Sequence, residues 1–298
     1  MVILGRERNH LFFACTWASL VLALILFLAG CGGGGTGEGL PKRTLPENAT
    51  PEKILLESIK ATDEADSISF KQELTFIIPP SGSEVKTSSM RIQLDGMADL
   101  KTGNAKATAK MVEFNFESEY IIYGGKYYFK LRDNWYETPS NPVPSVNISG
   151  LTSDIGEFLK NVQTIERLED EVVNGRNCYH IAMQPNFEAI LEQPVILEFL
   201  KQSLPESLGQ PLTEEEFQKK LEEYKEILKD AKYTYEYWVD KEYLCIRKTF
   251  YHSESAIPIE SATGPTYFKF AAEIAFPQYN VPVDISPPEV AMQWQSAE

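Results

Sequence analysis

Four cysteines and three histidines are the side chains of this 298-residue chain best suited to nucleophilic or metal chemistry. Their spacing narrows what they can do. Cys31 follows Leu28-Ala29-Gly30 at the end of an almost wholly apolar run from Leu11 to Ala29, which Arg6 and Arg8 precede. Positive charge, then an apolar run, then small residues is the order of a secretory signal peptide, and Cys31 stands where cleavage would fall. Cys178 and His180 are two apart in a β-like run, so they share a face. That pair is open to two readings, a cysteine nucleophile or a satisfied, half-buried pair. There is no His-Glu-x-x-His run, no cysteine–histidine cluster at metal spacing, no Gly-x-Ser-x-Gly elbow and no phosphate-binding loop. Gly30, Gly32 and Gly35 match a dinucleotide fingerprint in letters only, because no strand precedes them and no helix follows. The expectation is binding without catalysis, with no catalytic residue, no metal and no cofactor.

Leu28-Ala29-Gly30-Cys31 resembles the lipobox of bacterial lipoproteins. The resemblance implies that the Cys31 sulfur takes a diacylglyceryl group and that the chain is cut just before it. An uncleaved signal anchor and an ordinary secreted protein are the competing readings, since Leu11 to Ala29 is nearly long enough to span a bilayer. All three place the remaining chain outside the cytoplasm. Each buried methylene contributes about 0.8 kcal/mol, so two or three acyl chains on one cysteine anchor where a single chain does not. The expected location is the outer leaflet of a cytoplasmic membrane, or an outer membrane where one exists.

Loss of Arg6, Glu7 and Arg8 takes the net charge from -15 to -16. Such an acidic surface repels phosphate backbones, which argues against a nucleic-acid partner. It offers no polybasic patch to anionic lipids, so membrane association falls to Cys31. Cys178 and Cys245 are the cysteines left over. An exported pair can bridge if its Cα atoms lie within about 7 Å, and the alternative is two buried thiols that never meet.

The elements that must position a site follow from the pattern. Residues 1–30 read as signal, 31–49 as lipidated cysteine and flexible Gly-rich tether, and 50–298 as one domain. Thr50, Pro51 and Glu52 form a helix start, with Leu55, Leu56, Ile59 and Thr62 on one face. After Asp66 the apolar period becomes two: Ile68, Phe70, Leu74, Phe76 and Ile78 alternate with polar residues, with Gln72 as the interruption. Met90 to Leu100, Ala105 to Phe116, Tyr120 to Tyr123 and Tyr127 to Leu131 continue a meander, with a tight hairpin at Gly124-Gly125. A Pro/Ser/Asn loop over 139–150 and a short helix near 153–162 precede strands at 165–173 and 178–183, which turn at Asn174-Gly175. Residues 186–231 read as a helical insertion, kinked at Pro194, with a capping box at Thr213 to Glu216. Tyr233, Tyr235, Tyr237 and Val239 then alternate, Leu244, Ile246 and Phe250 form a returning face, and 268–276 is the last strand. About ten strands with few helices predict a mainly β (α+β) fold, a curved antiparallel sheet or partly closed barrel.

This order of elements resembles the LolA-like superfamily, nearest the LppX/LprG lipoproteins. Val173-Asn174-Gly175-Arg176 with Tyr179, Tyr237-Trp238-Val239-Asp240 with Ile246-Arg247, Tyr279-Asn280-Val281-Pro282-Val283 and Pro287-Pro288 carry the likeness. It implies a half-open antiparallel β-barrel with helices covering an apolar cavity that holds acyl chains, glycolipids or other lipids. The candidate cavity lining is Phe70, Leu74, Phe76, Phe114, Phe116, Tyr127 and Phe129, placed on meander strands. A core filled by those same rings is the other reading. An envelope interaction or sensor module acting through a protein partner is the alternative to a hydrophobic-ligand carrier.

Overall fold

The computed structural model describes residues 40–78, 88–138, 161–186, 212–229, 232–257 and 266–293, with isolated positions at 159, 189, 191, 192, 197, 200 and 201. The signal, Cys31, the tether up to Gly39, the 139–150 loop, most of the 153–162 segment and Pro194 lie outside the described residues.

Helix α1 (Pro51–Asp63) begins as its sequence dictates. Thr50 caps it by accepting from the Lys53 amide at 3.3 Å, and Pro51 fills the first helical position. Its buried face is Ile54, Leu55, Ser58, Ile59, Ala61 and Thr62, so Leu55, Ile59 and Thr62 lie where expected while Leu56 is only half-buried and Ile54 takes its place. Strands β1 (Ser67–Ile78), β2 (Ser88–Asp99), β3 (Asn104–Met111), β4 (Phe116–Tyr123), β5 (Lys126–Leu131) and β6 (Asn134–Thr138) form the meander. After it come β7 (Val162–Arg167), β8 (Glu171–Val173), β9 (Arg176–Pro185), helix α2 (Glu214–Lys229), β10 (Lys232–Asp240), β11 (Ile246–Ile257), β12 (Thr266–Tyr279) and β13 (Met292–Gln293).

All thirteen strands join one sheet in the order β13-β6-β5-β4-β3-β2-β1-β12-β11-β10-β9-β7, with β8 also on β9. Every pairing is antiparallel except β13 on β6. Among the described residues the sheet is curved and does not close, the half-open form expected. Helix α1 packs against β7, β10 and β11, and α2 packs against β11. The capping box is present: the Thr213 amide and hydroxyl each donate to Glu216 at 2.8 Å, and the Glu216 amide donates back to Thr213 Oγ1 at 3.3 Å.

Four local readings need correction. The ordered domain begins ahead of Thr50: Leu40 is 8% exposed within the main core, and the Arg43 amide donates to the Glu242 carbonyl at 2.9 Å. The strand drawn through Phe116 is two strands, because Val112–Phe114 form a 3-10 turn and Asn115 takes a left-handed conformation (φ 47°). The 165–173 run likewise breaks after Arg167, and its second half pairs separately with the start of β9. Finally, two short strands that the alternation does not mark, β6 and β13, pair at the edge of the sheet.

The two hairpins predicted from glycine pairs do form. Gly124 and Gly125 have φ of 57° and 77°, and Asn174 and Gly175 have 51° and 76°. Positive φ at both central residues is the two-residue turn that matches strand twist.

Candidate ligand-binding face

Strand register builds the face of the sheet that α1 covers. Reading across β9, β10, β11, β12, β1, β2, β3 and β4, one row is Met183, Tyr235, Tyr251, Ala272, Leu74, Ile92, Met111 and Phe116. The next is Ile181, Tyr237, Thr249, Ile274, Gln72, Leu94, Ala109 and Ser118. Farther along, Phe70, Gly96, Ala107, Tyr120, Phe129 and Tyr136 align, followed by Ile68, Ala98, Ala105, Ile122 and Tyr127. Residues two apart share a face, so these rows form one continuous inner surface.

Burial divides that surface in two. On β9 to β12 and β1 it is closed: Tyr235, Tyr251, Phe270, Phe276, Ile181, Met183, Leu74 and Phe76 are all 9% exposed or less. The tyrosines pack ring to ring, with Tyr235 and Tyr251 centroids 4.6 Å apart and Tyr251 and Phe270 5.5 Å apart. Burial first, then neighbouring tyrosines, holds the Tyr235 hydroxyl far above its ordinary pKa. On β2 to β6 the same rows are apolar but only half-buried, at Met90, Ile92, Leu94, Ala107, Ala109, Tyr120, Ile122, Tyr127, Phe129 and Tyr136. The floor there is low, because Gly96, Ala98, Ala105, Ala107 and Ala109 present little side chain. The Phe70 ring lies over Gly96 so closely that a Cβ added at that glycine would come within 2.7 Å of Phe70 Cζ. Gln72 Nε2, at the centre of the second row, is buried without a hydrogen-bond partner, as is Thr249 Oγ1 two strands away.

The sequence-predicted lining residues separate accordingly. Leu74 and Phe76 are core, with Phe76 against Phe270 at 5.0 Å. Phe70, Tyr127 and Phe129 are on the half-buried face, where Phe129 stacks on Tyr136 at 5.5 Å. Phe114 lies in the 3-10 turn, not on a strand, and is 70% exposed, while Phe116 beside it is 37% exposed. Phe114 therefore stands apart, whereas Phe116 opens β4 at the exposed end of the row that holds Leu74 and Ile92. The tyrosine row of β10 and β11 was only half seen. A bulge between Trp238 and Val239 shifts the register, so Thr249 and Tyr251 face inward and Phe250, opposite Glu236, faces out. Alternation alone carries no sign of a bulge.

Cys178 and Cys245 are free, buried thiols. Cys178 pairs with Asp240 on one side of β10, and the Cys245 carbonyl accepts from the Asp240 amide on the other. Two strand spacings put their Cα atoms roughly 9.5 Å apart, beyond bridging distance, so the disulfide reading gives way to the two-thiol one. Burial first, then the Asp240 charge, pushes the Cys178 thiol up to about 12, which keeps it protonated at neutral pH. Burial does the same for Cys245, up to about 12. His180 stacks on Trp238 at 4.3 Å, and its ring nitrogens face Glu236 at 2.8 Å and Glu171 at 3.2 Å. Among the described residues no three His, Cys, Asp or Glu side chains are grouped to share a metal, and no helix is long and apolar enough to cross a membrane.

An ion pair fastens the β10–β11 hairpin. Arg247 Nε and Nη2 both reach Asp240 Oδ2 at 3.0 Å, and both side chains are 1–2% exposed. Asp240 Oδ1 accepts from the amides of Glu242 at 2.8 Å and Tyr243 at 3.1 Å, so the carboxylate also shapes the turn.

No protein-family model matches the chain, and no curated protein does. Among solved structures it is similar to Mycobacterium tuberculosis lipoprotein LppX, at 12% identity and TM-score 0.43 over 79% of this chain and 97% of that one. It is similar also to LprF from Mycobacterium bovis, at 12% identity and TM-score 0.41 over 80% and 99%. A third is the Pseudomonas aeruginosa MucA/MucB complex, at 10% identity and TM-score 0.34, where this chain spans 59% of the matched chain and 80% of its own length is covered. At these identities the likeness is one of fold alone.

Proposed function

We propose that this protein is an extracytoplasmic lipoprotein, anchored through Cys31, that holds a hydrophobic ligand against the inner face of its sheet. The ligand class is an acyl chain, borne by a lipid or glycolipid. The observation that carries this reading is the contrast within one surface: identical strand rows are sealed on β9 to β12 and left apolar and half-buried on β2 to β6. Apolar area covered there would stabilise a complex by about 25 cal/mol per Å² before ordering costs. Native mass spectrometry after mild purification, with titration of a fluorescent long-chain fatty acid, tests it. Bound acyl mass or saturable uptake is expected, and ligand-free protein that takes up nothing would overturn it.

A second reading has its own support. Phe114 and Phe116 are exposed aromatic side chains at the β3–β4 turn, of the kind a protein partner in the envelope would cover. Cross-linking from position 114 that captures one stoichiometric envelope protein, together with failure of fatty-acid uptake, would favour it.

A further inference from the structure

We infer that the end of the sheet bearing the β2–β3, β4–β5, β8–β9 and β10–β11 turns faces the bilayer, and that ligand enters the half-buried face from that end; this rests on the anchoring and binding proposed above. The placement of Leu40 carries the argument. Leu40 belongs to the main core, Arg43 is hydrogen-bonded to Glu242 in the β10–β11 turn, and Lys42 and Arg43 pair with Glu242 and Glu64. The chain therefore enters the domain at one end of the sheet and not at its middle.

Leu40 is nine positions after Cys31, and six of the eight residues between them are glycine. Nine residue steps span at most about 32 Å, and a flexible Gly-rich chain of that length averages about 17 Å between its ends. The opposite end is farther by the length of a strand, about 26 Å for Lys232 to Asp240. At its average span the segment is shorter than a strand, so a lipid on Cys31 favours placing the turn-bearing end near the membrane and the other end away from it.

Ion pairs fasten the turns at this end. The chain carries -15 overall, yet the cations gathered here are each matched to a carboxylate: Lys101 to Asp66, Lys126 to Glu137, Arg176 to Glu242 and Lys241 to Asp170. The inner-face row nearest this end is Ile68, Ala98, Ala105, Ile122 and Tyr127, so the apolar surface begins beside the bilayer.

The test uses the full lipidated chain in phosphatidylglycerol/phosphatidylethanolamine vesicles with acceptor-labelled head groups. Lys101→Cys and Lys232→Cys, both exposed, each take a thiol-reactive donor fluorophore, while Cys178 and Cys245 are buried and protonated. Energy transfer from position 101 should exceed that from 232 at least twofold. A Gly/Ser insertion of about 20 residues between Gly39 and Leu40 should erase most of the difference. Equal or reversed transfer overturns the orientation, as does a difference that the longer tether leaves unchanged. Vesicle flotation separates this from failure of the anchor. Wild type that floats, beside a Cys31→Ser variant that does not, upholds anchoring even when the orientation fails. Wild type that stays in solution overturns both.

Discussion

Ala107→Phe should block the proposed ligand face while leaving the fold intact. Ala107 is half-buried on the inner surface, between Gly96 of β2 and Tyr120 of β4, on the lowest part of the floor. A phenyl ring there stands up from the small-residue strip into the space an acyl chain would use. It displaces about three methylenes, each worth roughly 0.8 kcal/mol when buried, so the loss is about 2.4 kcal/mol. At 1.4 kcal/mol per decade, Kd for a fluorescent fatty acid should rise about 50-fold. Lys106→Phe is the control: it adds the same ring one residue earlier, on the opposite, exposed face, and should leave Kd unchanged. Thermal melts of both variants report whether either disturbs folding. Equal effects of the two substitutions, or an Ala107→Phe protein that binds as wild type does, would refute the placement of ligand on this surface.

Asp240→Ala strands a buried Arg247 guanidinium and should cost about 3–5 kcal/mol, read as a fall in the urea midpoint; adding Arg247→Met should recover a large part of it, and a double variant no better than the single would sink the argument. Cys178 and Cys245 should resist a thiol reagent at pH 8 until the protein is unfolded, when both react. Because folding raises each from 9.0 to about 12, native stability should hold below pH 9 and erode as the pH climbs from there toward 12, as the unfolded chain sheds those protons first; denaturant titrations across that range check the sign. Thr213→Ala should cost about 1 kcal/mol of stability through loss of the α2 cap, without altering fatty-acid uptake.

Residues that act over a few positions could be read directly. The Thr50–Pro51 start of α1, the Thr213–Glu216 box and the Asn174-Gly175 and Gly124-Gly125 turns each depend on local hydrogen bonds or a local sign of φ, and the structure has all four. Period-two alternation identified β1 and β2, and with them the inner face through Phe70, Leu74 and Phe76. Gln72 was visible as the interruption in that face, and the structure leaves its amide without a partner.

What adjacency in the chain does not encode was settled only by folding. The bulge at Trp238/Val239 turned Tyr251 inward because one extra residue inverts every side chain after it, and composition holds no record of such an insertion. The distance between Cys178 and Cys245 depended on β10 lying between them, a fact of strand order. Leu40 looked like tether because one leucine among glycines has no period; only the core it enters, built from strands some two hundred residues later, makes it part of the domain. The sequence alone thus determined the anchor motif, the caps, the turns and the alternation. Tertiary structure decided which half of the inner face is sealed and which end meets the chain coming from Cys31, because burial and proximity belong to the assembled sheet and not to any segment of it.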